Sequence, residues 1–357
     1  MTSPNSRYAH VIGLGLIGAS LALALKEAGW RVTGEDRRDE TFTMALAGGV
    51  IEDGLLSDEH TLVVVATPAG SVSQIANGVL ARFARPDLIV TDVAGVKSAI
   101  VEDVIDRRFL GGHPMAGSEL RGLRGAREDL FQGCNWVLTP TDATGPALYS
   151  TLHGILREIG ANVVAVSAED HDRLVSLASH VPHLLAGALM NEAAEAAKED
   201  AVLLQLAAGG FRDMTRVAAG DPSIWPDILF ENRDAITTTL ASLEARLAQL
   251  RTALANDDRK VIVESLHTAA EARRQLPGRA LSSENLAYLR VQISDQPGTL
   301  ATVTRAASEL LINIYDIEIS HGIEGIAGTL LLAVDALQAN TLNDALRQLG
   351  FQVASEQ

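Results

Sequence analysis

A short apolar run, His10–Ile12, passes through Gly13-Leu14-Gly15-Leu16-Ile17-Gly18 into a stretch with helical spacing, Leu16–Ala28. In a strand–turn–helix of this kind the first glycine allows a tight turn and the second lets a pyrophosphate approach the backbone. The third lets the helix lie close to the strand, and the helix start presents free N–H groups to phosphate. Glycines at this spacing also serve ordinary turns. Here an acidic residue, Asp36, closes the second strand about 20 residues further on, as a dinucleotide site requires. Its carboxylate can accept from a ribose 2′-OH, which favours NAD. Arg37 and Arg38 follow directly and suit a 2′-phosphate, so NADP stays open; as a solvated edge they would decide nothing.

The surrounding pattern repeats the unit. Arg31–Gly34, Leu62–Ala66, Leu88–Asp92 and Trp136–Thr139 are apolar strands, with helical spacing over Ser71–Phe83 and Ser98–Arg107. Buried strands separated by helices predict a parallel, doubly wound α/β sheet, the Rossmann arrangement, over residues 1–166. From Ser167 to about Leu276 strand signals vanish. Ser167 and Asp170 resemble a capping box at a helix start. Ile236, Leu240, Leu243, Leu247, Leu250 and Leu254 step by 4-3-4-3-4, a heptad seam on one helix predicted from about Ser223 to Asn256. Such a seam needs a long partner, within a bundle or across a homodimer, so 167–278 is predicted to be an all-α substrate and dimerisation domain. Leu276-Pro277-Gly278-Arg279 breaks the helix. Beyond it, 284–357 alternates as a small α+β module, βαββα with a short closing strand near Phe351–Val353.

With 357 residues, 47% of them hydrophobic, the chain has material for two or three packed domains. A formal charge of −16 argues against nucleic acid and anionic membrane surfaces as partners. The single cysteine, Cys134, allows no internal disulfide, and Met1–His10 lacks a secretory layout, so a cytoplasmic location is expected.

Three clusters carry candidate chemistry. His113, in Gly111-Gly112-His113-Pro114-Met115-Ala116-Gly117-Ser118-Glu119, is placed in a glycine-rich loop at the cofactor cleft. There a histidine suits uptake of a hydroxyl proton as hydride leaves. His180 and His183 lie one helical turn apart, opposite Leu177, Val181 and Leu184, and are predicted to form a polar wall facing substrate rather than plain helix surface. No cysteine or carboxylate completes a metal set with them, so no metal is expected. Gly209-Gly210-Phe211-Arg212-Asp213-Met214-Thr215-Arg216 leads into Asp221-Pro222-Ser223-Ile224-Trp225. Its arginines suit a carboxylate and its tryptophan a ring, although capping and surface pairing would explain the same residues.

Taken in order, G-L-G-L-I-G, A-T-P (Ala66–Pro68), D-V-A-G-V-K (Asp92–Lys97), H-P-M-A-G-S-E (His113–Glu119), S-H-V-P-H (Ser179–His183) and G-G-F-R-D-M-T-R with D-P-x-x-W resemble the bacterial prephenate dehydrogenases of tyrosine biosynthesis that carry a C-terminal ACT domain. The likeness runs from Val11 to about Val353. It implies an NAD-dependent oxidoreductase that converts prephenate to 4-hydroxyphenylpyruvate and CO2. His113 matches the histidine that bonds the ring hydroxyl and assists its deprotonation, Arg216 the arginine that pairs with a substrate carboxylate, and His183 a pocket histidine. Trp225 and Glu119 fall where pocket-lining or gating residues stand, and Asp213 is placed to orient the arginine. Gly13, Gly15, Leu16, Ile17, Gly18, Asp36, Arg37, Thr67 and Pro68 are the implied cofactor residues. One position departs: Gly95 stands where the family commonly has a serine expected to bond the same hydroxyl.

In the tail, Asp295, Pro297, Gly298, Thr299 and Leu300, with Asn313 and Ile314, resemble an ACT effector loop, implying an aromatic amino acid effector, tyrosine above all, and pairing of subunits. The same motifs suit an arogenate dehydrogenase. A β-hydroxyacid dehydrogenase would need a catalytic lysine, for which only Lys198 offers itself. A non-catalytic, dinucleotide-bound sensor of amino acids is the alternative of a different class, and Gly95 is the feature that leans toward it.

Overall fold

The computed structural model describes residues 7–116, 120, 122–200, 202–220, 222–275, 286–294, 299–312, 314–321 and 327–356. Its first element, β1 (Tyr8–Ile12), lies inside a seven-stranded sheet and leads through the glycine turn into α1 (Leu16–Glu27). Then follow β2 (Arg31–Glu35), α2 (Asp39–Ala47), β3 (Leu62–Val65), α3 (Ala69–Arg82), β4 (Ile89–Asp92), α4 (Ser98–Asp103), β5 (Phe109–Pro114), β6 (Asn135–Thr139), α5 (Pro146–Glu158) and β7 (Asn162–Ala165). The strand order is β2-β1-β3-β4-β5-β6-β7, so the chain reverses its winding at β1, where β2 and β3 flank it. Ligands of doubly wound sheets bind at such a switch point.

The strands are apolar on both faces because helices cover both. Leu62 and Val64 of β3 pack into one core with Leu21, Leu25, Phe131 and Trp136. Val63 and Val65 alternate into the other with Val72, Leu80, Phe83 and Phe109. One strand departs from the expected all-parallel sheet: β6 runs antiparallel to β5, with Gly111 opposite Thr139 and Pro114 opposite Trp136. A parallel neighbour needs a crossover helix. Among the described residues between these strands the only helical piece is the turn Leu123–Gly125.

The second segment starts with α6 (Ala168–Val175), where the Ser167 hydroxyl accepts the Asp170 N–H at 3.0 Å. A π-turn, Ser176–His180, joins it to α7 (Val181–Glu199). Pro182 explains the wide turn, since in a regular helix its ring would clash with the carbonyl four residues back. Then come α8 (Gly209–Thr215), a turn at Arg216–Ala219, α9 (Trp225–Glu231), α10 (Arg233–Ala255) and α11 (Arg259–Arg274). The single helix expected over 223–256 is therefore two, broken at Asn232, which leaves helical geometry at φ −107°, ψ 23°. Its buried side chain bonds elsewhere, as described below. The heptad residues diverge accordingly: Ile236 is buried, while Leu247 and Leu254 are exposed.

At the C-terminus β8 (Leu286–Ser294), α12 (Thr299–Glu309), β9 (Ile314–His321), β10 (Ala327–Asp335), α13 (Ala339–Gln348) and β11 (Gln352–Glu356) form an antiparallel sheet ordered β11-β8-β10-β9. Leu289, Val291, Val303, Leu330, Leu332, Leu342 and Leu346 are its core. The chain divides into two compact units, residues 1–244 and 245–357. No helix among the described residues is long and apolar enough to cross a membrane.

Candidate active site

The glycine turn is a cradle that side chains would fill. Gly13 has φ +98°, and a Cβ there would stand 2.5 Å from the Ala66 carbonyl oxygen. A Cβ on Gly18 would stand 1.9 Å from the Gly13 oxygen. Above Gly15, by contrast, a Cβ would meet nothing within 4 Å, so one side of the turn is open. No side chain caps α1, leaving the N–H groups of its first turn, at Leu16 and Ile17, for a ligand. Asp36 follows β2, and its carboxylate accepts the Leu14 N–H at 2.9 Å and the Arg38 N–H at 2.9 Å. Arg38 also donates through Nε to Asp36, while Arg37 is exposed. Thr67 and Pro68 line the turn between β3 and α3, where the Ser71 hydroxyl donates to Thr67 Oγ1 at 3.0 Å. An open pyrophosphate cradle, free helix amides and an acidic residue at the end of β2 fit a dinucleotide.

His113 lies within β5 rather than in a loop, on the strand beside β4. The strand is held by Asp92, which accepts the Gly112 N–H at 3.1 Å and the Ala94 N–H at 2.9 Å and pairs with the ammonium of fully buried Lys97. His113 Nδ1 is 2.8 Å from His171 Nε2, and His171 Nδ1 is 2.7 Å from Asp172 Oδ1. Asp172 accepts the backbone N–H groups of Lys97 and Ser98, each at 2.8 Å. Asn232, at the helix break, donates through Nδ2 to the Asp172 carbonyl at 2.8 Å and lies 3.1 Å from His180 Nδ1. The start of α4, the first turn of α6 and the junction of α9 and α10 therefore meet behind one imidazole.

The electrostatics follow from burial. Removal from water, with His171, Lys97 and His180 nearby, holds His113 well below the ordinary histidine range, against the pull of Asp172. Burial lowers His180 to about 4. It works to raise Asp172, but the His171, Ser98 and Lys97 donors outweigh it and keep the carboxylate ionised. A Cβ on Gly95 would lie 3.8 Å from His113 Cε1, 3.8 Å from Nε2 and 3.9 Å from Ile228 Cδ1, so Nε2 faces the space over this glycine.

A second group adjoins the first. The His183 ring stacks on Trp225 at 3.6 Å and 14°, and the same tryptophan meets His180 edge-on at 6.4 Å. Gly220 covers His183, its Cβ position 3.6 Å from Cε1. The expected polar wall of two histidines is thus corrected. The π-turn carries His180 into the interior, 2% exposed, with Val181 buried beside it, and leaves Leu177 outside. Only His183 stays half-buried on the open side. Arg216 opens the turn beside α7 with an exposed side chain, and Asp213 is exposed on α8. Glu119, Asp295, Pro297, Gly298 and Asn313 lie outside the described residues; Thr299 and Leu300 begin α12, and Ile314 begins β9.

His171, Asp172, Asn232 and His180 were not singled out together by sequence reasoning. The adjacent His171-Asp172 pair just after the Ser167 cap was the available signal, but a polar first helical turn ordinarily faces solvent.

Comparison with known proteins gives concordant matches. Residues 21–165 match the family model described as prephenate dehydrogenase, nucleotide-binding domain, and residues 167–268 the one described as prephenate dehydrogenase, dimerization domain. A prephenate dehydrogenase of Bacillus subtilis (strain 168) is 34% identical, covering 90% of this chain and 90% of that protein. A solved prephenate dehydrogenase from Aquifex aeolicus, in complex with hydroxyphenyl propionate and NAD+, superposes with a TM-score of 0.70 at 29% identity, covering 76% of this chain and 99% of the other. The Synechocystis arogenate dehydrogenase gives a TM-score of 0.65 at 30% identity, covering 74% and 98%.

Proposed function

The chain belongs to the prephenate dehydrogenase family, and from that premise we propose that it catalyses the NAD-dependent oxidative decarboxylation of prephenate to 4-hydroxyphenylpyruvate with His113 as the proton acceptor. The observation that carries the assignment of roles is the His113 imidazole on β5, in the sheet that also carries the dinucleotide cradle, with Nε2 3.8 Å from the Cβ position of Gly95 and burial holding it below the ordinary histidine range. Gly13, Gly15, Leu16, Ile17, Gly18 and Asp36, with Thr67 and Pro68 alongside, would hold NAD, which would supply the acceptor for the hydride on the ring carbon that bears the hydroxyl. His113 Nε2 accepts the hydroxyl proton as that hydride leaves. As the ring carboxylate departs as CO2, the bonding pair closes the aromatic ring, and His113 returns the proton to the phenolate oxygen. Arg216 holds a substrate carboxylate, oriented by Asp213. His183 and Trp225 form the ring wall, and the family resemblance gives Glu119 a gating role.

A division of labour goes with this: 1–166 binds the nucleotide, 167–278 binds substrate and pairs two copies, and 284–357 is an ACT regulatory domain. The βαββαβ order and the β11-β8-β10-β9 sheet support the last assignment, with an aromatic amino acid bound by 295–300 and 313–314. The exposed Leu247 and Leu254 of the heptad seam support a homodimer, and the single cysteine supports a cytoplasmic setting.

Nicotinamide reduction by the full chain, offered prephenate or arogenate with NAD or NADP, tests the reading. Reduction is expected with prephenate and NAD, and tyrosine is expected to slow it. Reduction with arogenate alone would favour the reaction named for the Synechocystis relative. Cofactor binding without any reduction would favour the sensor.

Two further outcomes are expected. Because His113 is held below its usual value of about 6.5, it is neutral at pH 7. kcat/KM should therefore stay level on descending to pH 6.5 and fall only as protonation sets in below it. An acid limb centred above pH 7 would contradict this. The second concerns Gly95→Ser. The contacts of 3.8–3.9 Å leave room for the added carbon, and a hydroxyl there can bond the reacting oxygen. A hydrogen bond worth about 0.5–1.5 kcal/mol should raise kcat/KM by roughly two- to tenfold; a fall in steady-state assays would show that the space is already used.

A further inference from the structure

Three side chains run inward from the reacting nitrogen in a line: His113, His171 and Asp172, joined at 2.8 and 2.7 Å. His171 and Asp172 are buried, and neither is needed to touch substrate or cofactor. We propose that His171 and Asp172 are positioning residues that fix the tautomer of His113, keeping its proton on Nδ1 and the lone pair of Nε2 toward the substrate.

The direction of each bond follows from its far end. Asp172 is committed on both oxygens to backbone donors, Lys97 N–H on Oδ1 and Ser98 N–H on Oδ2. An ionised carboxylate only accepts, so His171 Nδ1 carries a hydrogen and donates. In an imidazole that carries a single hydrogen, on Nδ1, Nε2 is the acceptor, and this places the hydrogen of the next bond on His113 Nδ1. Nε2 of His113 is left as the basic nitrogen, on the side of Gly95. The assembly is locked from three elements: the Lys97 and Ser98 amides at α4, the His-Asp pair on α6, and Asn232 between α9 and α10, which holds the Asp172 carbonyl and His180 Nδ1. The charged and titratable groups around His113 are His171, His180, Lys97 and Asp172. When Nε2 takes up the hydroxyl proton, the imidazolium keeps its Nδ1 bond, and the proton stays at Nε2 until it returns.

The effect on rate rests on the reaction proposed above, whereas the tautomer is a property of the free protein. Long-range 1H–15N spectra of the full chain labelled in histidine, with signals assigned through His113→Asn and His171→Gln, read it directly above pH 7. The expected pattern is Nδ1–H with a bare Nε2 at His113. The opposite pattern, Nε2–H at His113, would overturn the proposal whether or not the chain turns over prephenate. Absence of turnover with the expected pattern would instead count against the reaction alone. Asp172→Asn supplies the kinetic arm, because an amide nitrogen in place of Oδ1 would donate to His171 and reverse both bonds. kcat is expected to fall by about 10²- to 10⁴-fold, the span lost when a proton acceptor is held in the wrong tautomer, with the KM for NAD unchanged and the His113 signals exchanged. A folded Asp172→Asn protein with wild-type kcat would overturn the proposal; if that variant does not fold, the wild-type spectrum decides alone.

Discussion

Replacing His113 with asparagine is expected to lower kcat by about 10²- to 10⁴-fold, the usual contribution of a positioned proton acceptor, while the affinity for NAD stays as it was. The amide is similar in size to the near half of the imidazole but does not take up a proton near neutrality. β5 keeps its place because Asp92 holds it through the neighbouring Gly112 N–H rather than through the histidine. The cradle is built from the β1 turn, Asp36 and the Ala66 carbonyl, none of which is in bonded contact with His113. Steady-state kinetics paired with a titration of NAD binding separate the two effects. Turnover within tenfold of the parent would remove His113 from the proton step. Loss of cofactor binding would show that the histidine acts on structure instead.

The second large effect is on stability. Lys97→Met leaves the Asp92 carboxylate buried without its ammonium partner, although the Ala94 and Gly112 N–H groups still bond it. Breaking a buried ion pair from one side typically costs about 3–5 kcal/mol, a large part of the roughly 5–15 kcal/mol that holds a domain together. Urea unfolding followed by tryptophan fluorescence is suited to this, since Trp30 and Trp136 sit in the core of the same sheet. Adding Asp92→Asn to Lys97→Met should recover part of the loss, because the uncompensated charge is then gone. A single variant within 1 kcal/mol of the parent would mean that water reaches the pair.

What sequence made legible divides along a physical line. The cradle could be read because its requirements are local: Gly13, Gly15 and Gly18 lie within six residues, and their strand and helix adjoin them. Asp36 comes with it, since strand length sets its distance. The Ser167 cap is local for the same reason. The β5–β6 reversal escaped because the direction in which β6 pairs with β5 is a tertiary property, which no short pattern encodes. His180 was misplaced because Pro182 widens the helix by one residue, which turns the face that regular spacing predicts. The heptad helix is interrupted at Asn232, where the side-chain amide is held by the Asp172 carbonyl and His180 while the backbone N–H still bonds the Ile228 carbonyl, a tertiary contact that heptad spacing does not show. His171 and Asp172 stand 58 and 59 positions after His113, so their line to it exists only once α6 is packed against β5.

The central claim is that hydride removal and loss of the ring carboxylate are one reaction on this chain. Measuring CO2 and reduced nicotinamide together, with prephenate, NAD and the full chain against an enzyme-free control, tests it most directly. Equal amounts of the two products are expected throughout the time course. Reduced nicotinamide formed without matching CO2 would make the chain a simple alcohol dehydrogenase and contradict the account.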